Sequence, residues 1–160
     1  METVVADNRM SVPQHAPNFQ LSLKATENGL RRASAWLSTA CNDRGVPPSE
    51  ISRLEICLNE VLANVLMHSG CNEQSPLIEL NLEFQTVRGT SQATVIVVDT
   101  GRAFDPVVVS PKPRPGSLAD AEPGGLGLIM IRSNADNIGY RRGDGRNEFS
   151  FVVNWADGRQ

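Results

Sequence analysis

The chain is poor in several features that would fix its class at once. Its 160 residues hold only three cysteines, Cys41, Cys57 and Cys71, an odd number with no CxxC pair. That usage argues against a disulfide framework and a tetrahedral zinc site, and it leaves Cys57, on an apolar helix stripe, as a small core residue. Unbroken apolar runs reach only a few residues, far short of a membrane span. The start, Met1-Glu2-Thr3, lacks the basic-then-apolar layout of a secretory signal, so a cytoplasmic location is the expectation. A basic excess is missing too: the formal net charge is -3, without the cationic stripe that direct binding to nucleic acid would require.

What is present is enough for one domain with its own core. Residues 1–16 mix prolines and charges without periodicity and read as a flexible tail, leaving 17–160 as the folded unit. Phe19, Leu21 and Leu23 alternate with polar neighbours, the pattern of a first strand. Leu30, Ala33, Leu37 and Cys41 recur at helical spacing from Glu27 onward. Gly45, Pro47 and Pro48 punctuate the chain, and Pro48, Ser49 and Glu50 open a second helix with the apolar stripe Ile51, Leu54, Leu58, Val61 and Val65. Gly70 closes it.

Ile78, Leu80, Leu82 and Phe84 alternate with Glu79, Asn81 and Glu83 as a half-buried strand. Ala93 to Val98 is a short apolar strand, and Arg88-Gly89 suits the turn between the two. Residues 106–124 then contain five prolines and no period, the mark of a lid or of disorder. Helical spacing resumes through Leu128, Ile131 and Ala135, and Ile138 to Tyr140 with Phe149 to Trp155 form a closing hairpin turned near Gly143-Asp144-Gly145. The order β-α-α-β-β-lid-α-β-β predicts an α+β two-layer sandwich, its mixed, mostly antiparallel sheet covered on one face by helices. Such a sandwich leaves room for a ligand between its layers.

Three motifs carry chemistry. Glu60 and Asn64 stand one turn apart on a single helix face. Asn64 offers a carbonyl oxygen of the kind Mg²⁺ accepts, and Glu60 a carboxylate that takes a hydroxyl proton or orients a water. Asp99 ends the apolar strand, where its carboxylate suits the adenine amino group, and Gly101 permits close backbone approach. Gly124-Gly125-Leu126-Gly127-Leu128 opens a helix whose unpaired amides and positive dipole end suit phosphates. Each motif alone has a structural reading: a solvated helix flank, a turn cap, a glycine-rich helix start. Taken in order they describe an ATP site. It is neither a P-loop nor a Rossmann turn, since both patterns are absent.

The three motifs together resemble the GHKL (Bergerat-fold) ATPases, and within them the anti-sigma factor serine/threonine-protein kinases of bacterial partner-switching systems. Leu58 to His68 is similar to their N box, Asp99 to Pro106 to their G1 box and Glu122 to Leu128 to their G2 box. The resemblance implies ATP and Mg²⁺ as cofactors, with Glu60 catalytic and Asn64 the metal ligand. It implies nucleotide contacts from Asn64, Asp99, Gly101, Phe104, Gly124, Gly125, Leu126, Gly127, Leu128 and Asn147. Apart from the resemblance, Lys112 and Arg114 of the lid carry charge that suits a terminal phosphate, although basic residues in such a loop are more often simply solvated. Two departures stand out: Ala103 where many members have glycine, and Asn147 where a threonine often supports adenine through water.

The implied activity is phosphorylation of a small STAS-domain anti-sigma factor antagonist, with a sigma factor as alternative partner and a homodimer as the usual state. Two rival readings are an ATP-gated binding module with little transfer and a stand-alone histidine-kinase-like ATPase domain. Glu60 favours the kinase over the binding module, because a pure binder needs no base there.

Overall fold

The structure, a computed structural model, describes residues 19–68, 77–102 and 125–158. The tail expected over 1–16, the lid over 106–123 with Lys112 and Arg114, and also Cys71, Phe104 and Gly124, lie outside the described residues. The elements follow the expected order: β1 (Phe19–Lys24), α1 (Glu27–Asp43), α2 (Pro48–His68), β2 (Leu77–Val87), β3 (Thr90–Asp99), α3 (Gly125–Asn134), β4 (Asn137–Gly143) and β5 (Arg146–Ala156).

Local chemistry sets the boundaries. Thr26 caps α1, its hydroxyl accepting the Gly29 amide at 3.0 Å, with Glu27 in the first turn. Gly29 is required by contact, since a Cβ there would stand 2.0 Å from the carbonyl oxygen of Lys24. At the start of α2 the amides of Glu50 and Ile51 both reach the Pro47 carbonyl at 3.0 Å, and Pro48 supplies the preset φ of a first helical residue. Both hairpins turn on two residues of positive φ, Arg88 (52°) with Gly89 (80°) and Asp144 (52°) with Gly145 (73°). Two such residues in succession match the right-handed twist of the strands they join.

The sheet runs β1-β2-β3-β5-β4, and every neighbouring pair among the described residues is antiparallel. The mixed sheet expected from the element order is therefore antiparallel at each hydrogen-bonded edge. A parallel relation survives only at one remove. The crossover through α3 returns β4 in the direction of β3, and β5 then turns back into the gap between them.

The helices cover one face. Leu54, Leu58 and Leu62 of α2 and Ala33 and Leu37 of α1 join Leu80 and Leu82 of β2, Val95 of β3 and Phe151 and Val153 of β5 in one fully buried core. Each strand contributes alternate residues to it, as the period of two demands. Among the described residues no helix is long and apolar enough to cross a membrane.

Cys41 and Cys57 are free thiols within this core. Burial pushes the Cys41 thiol up from 9.0 to about 12, with the negative charge of Glu55 adding to the rise. Burial raises Cys57 to about 12 as well, Arg53 opposing and Glu60 adding. Above pH 9 the unfolded chain loses thiol protons that the native state keeps, so stability falls as pH rises toward 12. Each thiol steepens that fall by up to about 1.4 kcal/mol per pH unit. Denaturant unfolding from pH 8 to 11 should therefore show a shallower loss in a Cys41→Ala/Cys57→Ala double variant than in the wild type. Parallel losses would mean that the thiols titrate normally.

Candidate functional site

One stripe of α2 does not face the sheet. Arg53, Cys57, Glu60 and Asn64 recur at intervals of three and four, so they share a face, and that face lies along α3. At one end Arg53 Nε donates to the Asn134 carbonyl at 2.8 Å, and its guanidinium pairs with Asp136 at 3.1 Å. Midway, the Cys57 thiol donates to the Ile131 carbonyl at 3.7 Å. At the other end a Cβ built on Gly127 would stand 2.7 Å from Glu60 Oε2 and 3.8 Å from Asn64 Oδ1. The helices are thus antiparallel. The C-terminal end of α3 is held by a cation, and its first turn meets the carboxylate and carboxamide of α2. Both signs suit the helix dipole.

A second group forms where β3 ends. Asp99 shares the parity of Val95 and Val97, so its side chain points toward the helix layer, and it is 9% exposed. It pairs across the sheet with Asn147, the second residue of β5. Asp99 Oδ1 accepts the Gly101 amide at 2.8 Å and Asn147 Nδ2 at 3.1 Å, while among the described residues nothing donates to Oδ2. Asn147 Nδ2 also faces the carbonyls of Gly101 (3.3 Å) and Arg102 (2.9 Å), fixing the chain where it leaves β3.

Chain order relates the two groups. The end of α2 leads to the start of β2, and Ile78 there pairs with Asp99. The structure thus brings together Glu60, Asn64 and Gly127 as one cluster and Asp99, Gly101 and Asn147 as another. Gly125, Leu126 and Leu128 belong to the first described turn of α3, where Leu128 is buried. Phe104 and Gly124 lie outside the described residues.

Three contributors escaped the sequence reading: Arg53, Tyr140 and Arg142. The Tyr140 hydroxyl and Arg142 Nη1 reach Asn147 Oδ1 at 2.6 and 2.7 Å. Arg53 had a signal, since it lies seven residues before Glu60 and so on the same face. Tyr140 and Arg142 had none beyond the alternation of β4.

The candidate site thus consists of the first described turn of α3 with the Glu–Asn pair beside it, and of a carboxylate with one oxygen to which nothing donates among the described residues. A profile of the histidine kinase-like ATPase domain matches residues 23–153. The chain belongs to that family. It is 32% identical over 137 residues to the serine/threonine-protein kinase BtrW of Bordetella bronchiseptica, covering 85% of this chain and 93% of the relative.

Solved structures share the histidine kinase-like ATPase fold. The RsbU and RsbW domains of Rv1364c from Mycobacterium tuberculosis align over 84% of this chain at 18% identity with a TM-score of 0.54. The chain spans 30% of that longer protein. The SiaB–SiaC complex from Pseudomonas aeruginosa aligns over 87% of this chain and 91% of the matched chain, at 14% identity and a TM-score of 0.52. The GHKL kinase resemblance read from the three boxes is borne out, and ATP binding follows from the family.

Gly127 gives the site a separable test. The atom its Cβ would meet is the mobile tip of Glu60, not backbone, and alanine is favoured over glycine in a helix by up to about 1 kcal/mol. Gly127→Ala should therefore fold with a melting temperature equal to or above the wild type while displacing the Glu60 carboxylate and lowering ATP turnover. A variant with lost stability and unchanged turnover would show that Glu60 does not occupy this contact in the working enzyme.

Proposed function

We propose that this chain is an ATP-dependent serine/threonine kinase and anti-sigma factor, phosphorylating a STAS-domain antagonist and, in the alternative state, sequestering a sigma factor. The observation that carries the enzyme reading is the approach of Glu60 and Asn64 to the first turn of α3 at Gly127. A carboxylate placed beside a phosphate-binding helix N-terminus serves the proton of an attacking hydroxyl; a binding module has no need of it. The identity with a serine/threonine-protein kinase supports the same acceptor chemistry here. The partners, and a homodimer as the working state, rest on the family resemblance.

In this reading the phosphates lie against the amides that open α3, and Asp99 Oδ2 accepts the adenine amino group. The site fits Mg²⁺: Asn64 Oδ1 is a hard oxygen donor beside that first turn, and among the described residues no cluster of three or more His, Cys, Asp or Glu suggests a metal cage of protein ligands alone. Asn64 would hold such an ion, since magnesium favours oxygen ligands and substrate phosphates. When bound, it neutralises charge on the β- and γ-phosphates. Glu60 accepts the proton as the seryl or threonyl oxygen bonds to the γ-phosphorus and the bond to the β-phosphate oxygen breaks, leaving ADP.

Two substitutions separate these roles. Asn64→Ala should lose magnesium-dependent nucleotide affinity and transfer together. Glu60→Gln should keep ATP and antagonist binding but lose transfer by roughly 10²–10⁴-fold, the usual worth of general-base assistance. The acceptor is found by incubating the protein with radiolabelled ATP and lysate of the source organism, then locating the labelled residue. Near wild-type transfer by Glu60→Gln would remove the base assignment, and a wild type that labels nothing would leave the ATP-gated binding module as the better reading.

A third substitution addresses the base. Asp99→Asn should weaken ATP binding about tenfold or more, because an amide turns a donor toward the donating amino group. Equal affinity in calorimetry would take Asp99 out of the site.

A further inference from the structure

Asn147 is 5% exposed, and its carboxamide is engaged on both sides. Oδ1 accepts the Tyr140 hydroxyl at 2.6 Å and Arg142 Nη1 at 2.7 Å. Nδ2 faces three oxygens: Asp99 Oδ1 at 3.1 Å, Gly101 O at 3.3 Å and Arg102 O at 2.9 Å. A carboxamide has two N–H donors and two acceptor lone pairs, so these neighbours use its whole capacity. Nothing is left over for a base or a bridging water.

The orientation of that amide is fixed from both sides. A guanidinium only donates, so it holds the oxygen of Asn147 toward itself. Two carbonyls and a carboxylate only accept, so they hold the nitrogen. A flipped amide would set N–H against guanidinium and oxygen against three oxygens, in a buried site where unmet polar groups are costly. Arg142 further donates to Gly101 O at 3.1 Å, and the Gly101 amide donates to Asp99 Oδ1 at 2.8 Å. Asp99 Oδ1 is thereby occupied by two donors and Oδ2 by none among the described residues.

We propose that Asn147, oriented by Arg142 and Tyr140, is a positioning residue that confers base selectivity without touching the base. By occupying Oδ1 it dedicates Oδ2 of Asp99 to a ligand amino group and sets its direction. The proposal rests on the ATP-site reading above, adds Arg142 and Tyr140 to its specificity, and makes Asn147 a positioning residue in place of the direct nucleotide contact that the resemblance implies. It also accounts for asparagine at a position where the family often has threonine: a hydroxyl has a single proton to donate, whereas the carboxamide has two to share among the three oxygens gathered here.

The test compares ATP with purine riboside triphosphate, which carries hydrogen in place of the 6-amino group. Calorimetric affinities for both are measured with the full chain as wild type, Asn147→Ser, Arg142→Met, Tyr140→Phe and Asp99→Asn. The wild type should prefer ATP. Asn147→Ser should cut that preference about tenfold, the scale of one hydrogen bond to a charged group, almost entirely through weaker ATP binding. Arg142→Met and Tyr140→Phe should each reduce it severalfold, and Asp99→Asn should abolish it.

A merely structural role for Asn147 would weaken both nucleotides alike and leave their ratio unchanged. That result, in a variant with native circular dichroism, overturns the proposal. Should Asn147→Ser fail to fold, Arg142→Met and Tyr140→Phe decide, since both alter groups nearer the surface, and unchanged ratios in both overturn it. A wild type that binds the two nucleotides equally removes Asp99 as the base reader and the proposal with it. A wild type that binds neither defeats the ATP-site reading itself.

Discussion

The antiparallel seam between α2 and α3 is the contact on which the site depends. A helix of ten residues is marginal alone, and α3 gains its place by lying along a partner. Arg53 holds its C-terminal carbonyls and Asp136, while Cys57 fills the middle of the seam with a small buried thiol. The other end is left to Glu60 and Asn64, where glycine at 127 keeps the backbone open to them. The dipole of α3 is thus met by a cation at its negative end and by the Glu60 carboxylate near its first described turn. Asp136 also accepts the Asn154 amide at 2.7 Å, so the same anchor reaches the sheet.

The seam and the β3–β5 pair divide the labour. In the proposed reading, the cluster on helices serves phosphate, metal and proton, and the cluster on strands serves the base. In the strand cluster, Asp99 and Asn147 are opposed residues of a ladder that continues to Thr90 and Ala156. Its side-chain bonds reinforce a spacing that the backbone already sets. The helix cluster depends on packing between two elements, so small changes in side-chain volume there act on chemistry before they act on stability.

Much of the fold was legible because its signals were local. The stripe Ile51, Leu54, Leu58, Val61 announced α2, alternation announced β2, and the dipeptides Arg88-Gly89 and Asp144-Gly145 marked turns that do carry positive φ. The three boxes were legible for another reason: they combine residue types rarely found together for structural purposes. The placement of β5 between β3 and β4 was not legible, since strand order is decided by long-range pairing that no local pattern encodes. Hence a mixed sheet was expected where every paired edge is antiparallel. Arg53, Tyr140 and Arg142 escaped for a related reason. A solvated arginine and one that clamps a neighbour look alike in sequence, and only the partner across space distinguishes them.

The insertion of β5 has a consequence for how the molecule comes to exist. Until residues 146–156 are available, β3 has one bare edge, β4 has no partner, and Asp99 lacks the amide that orients it. In the reading proposed above, a chain made from its N-terminus contains its Glu–Asn pair before the strand that carries Asn147. Base selectivity is then completed together with the sheet, by the last strand.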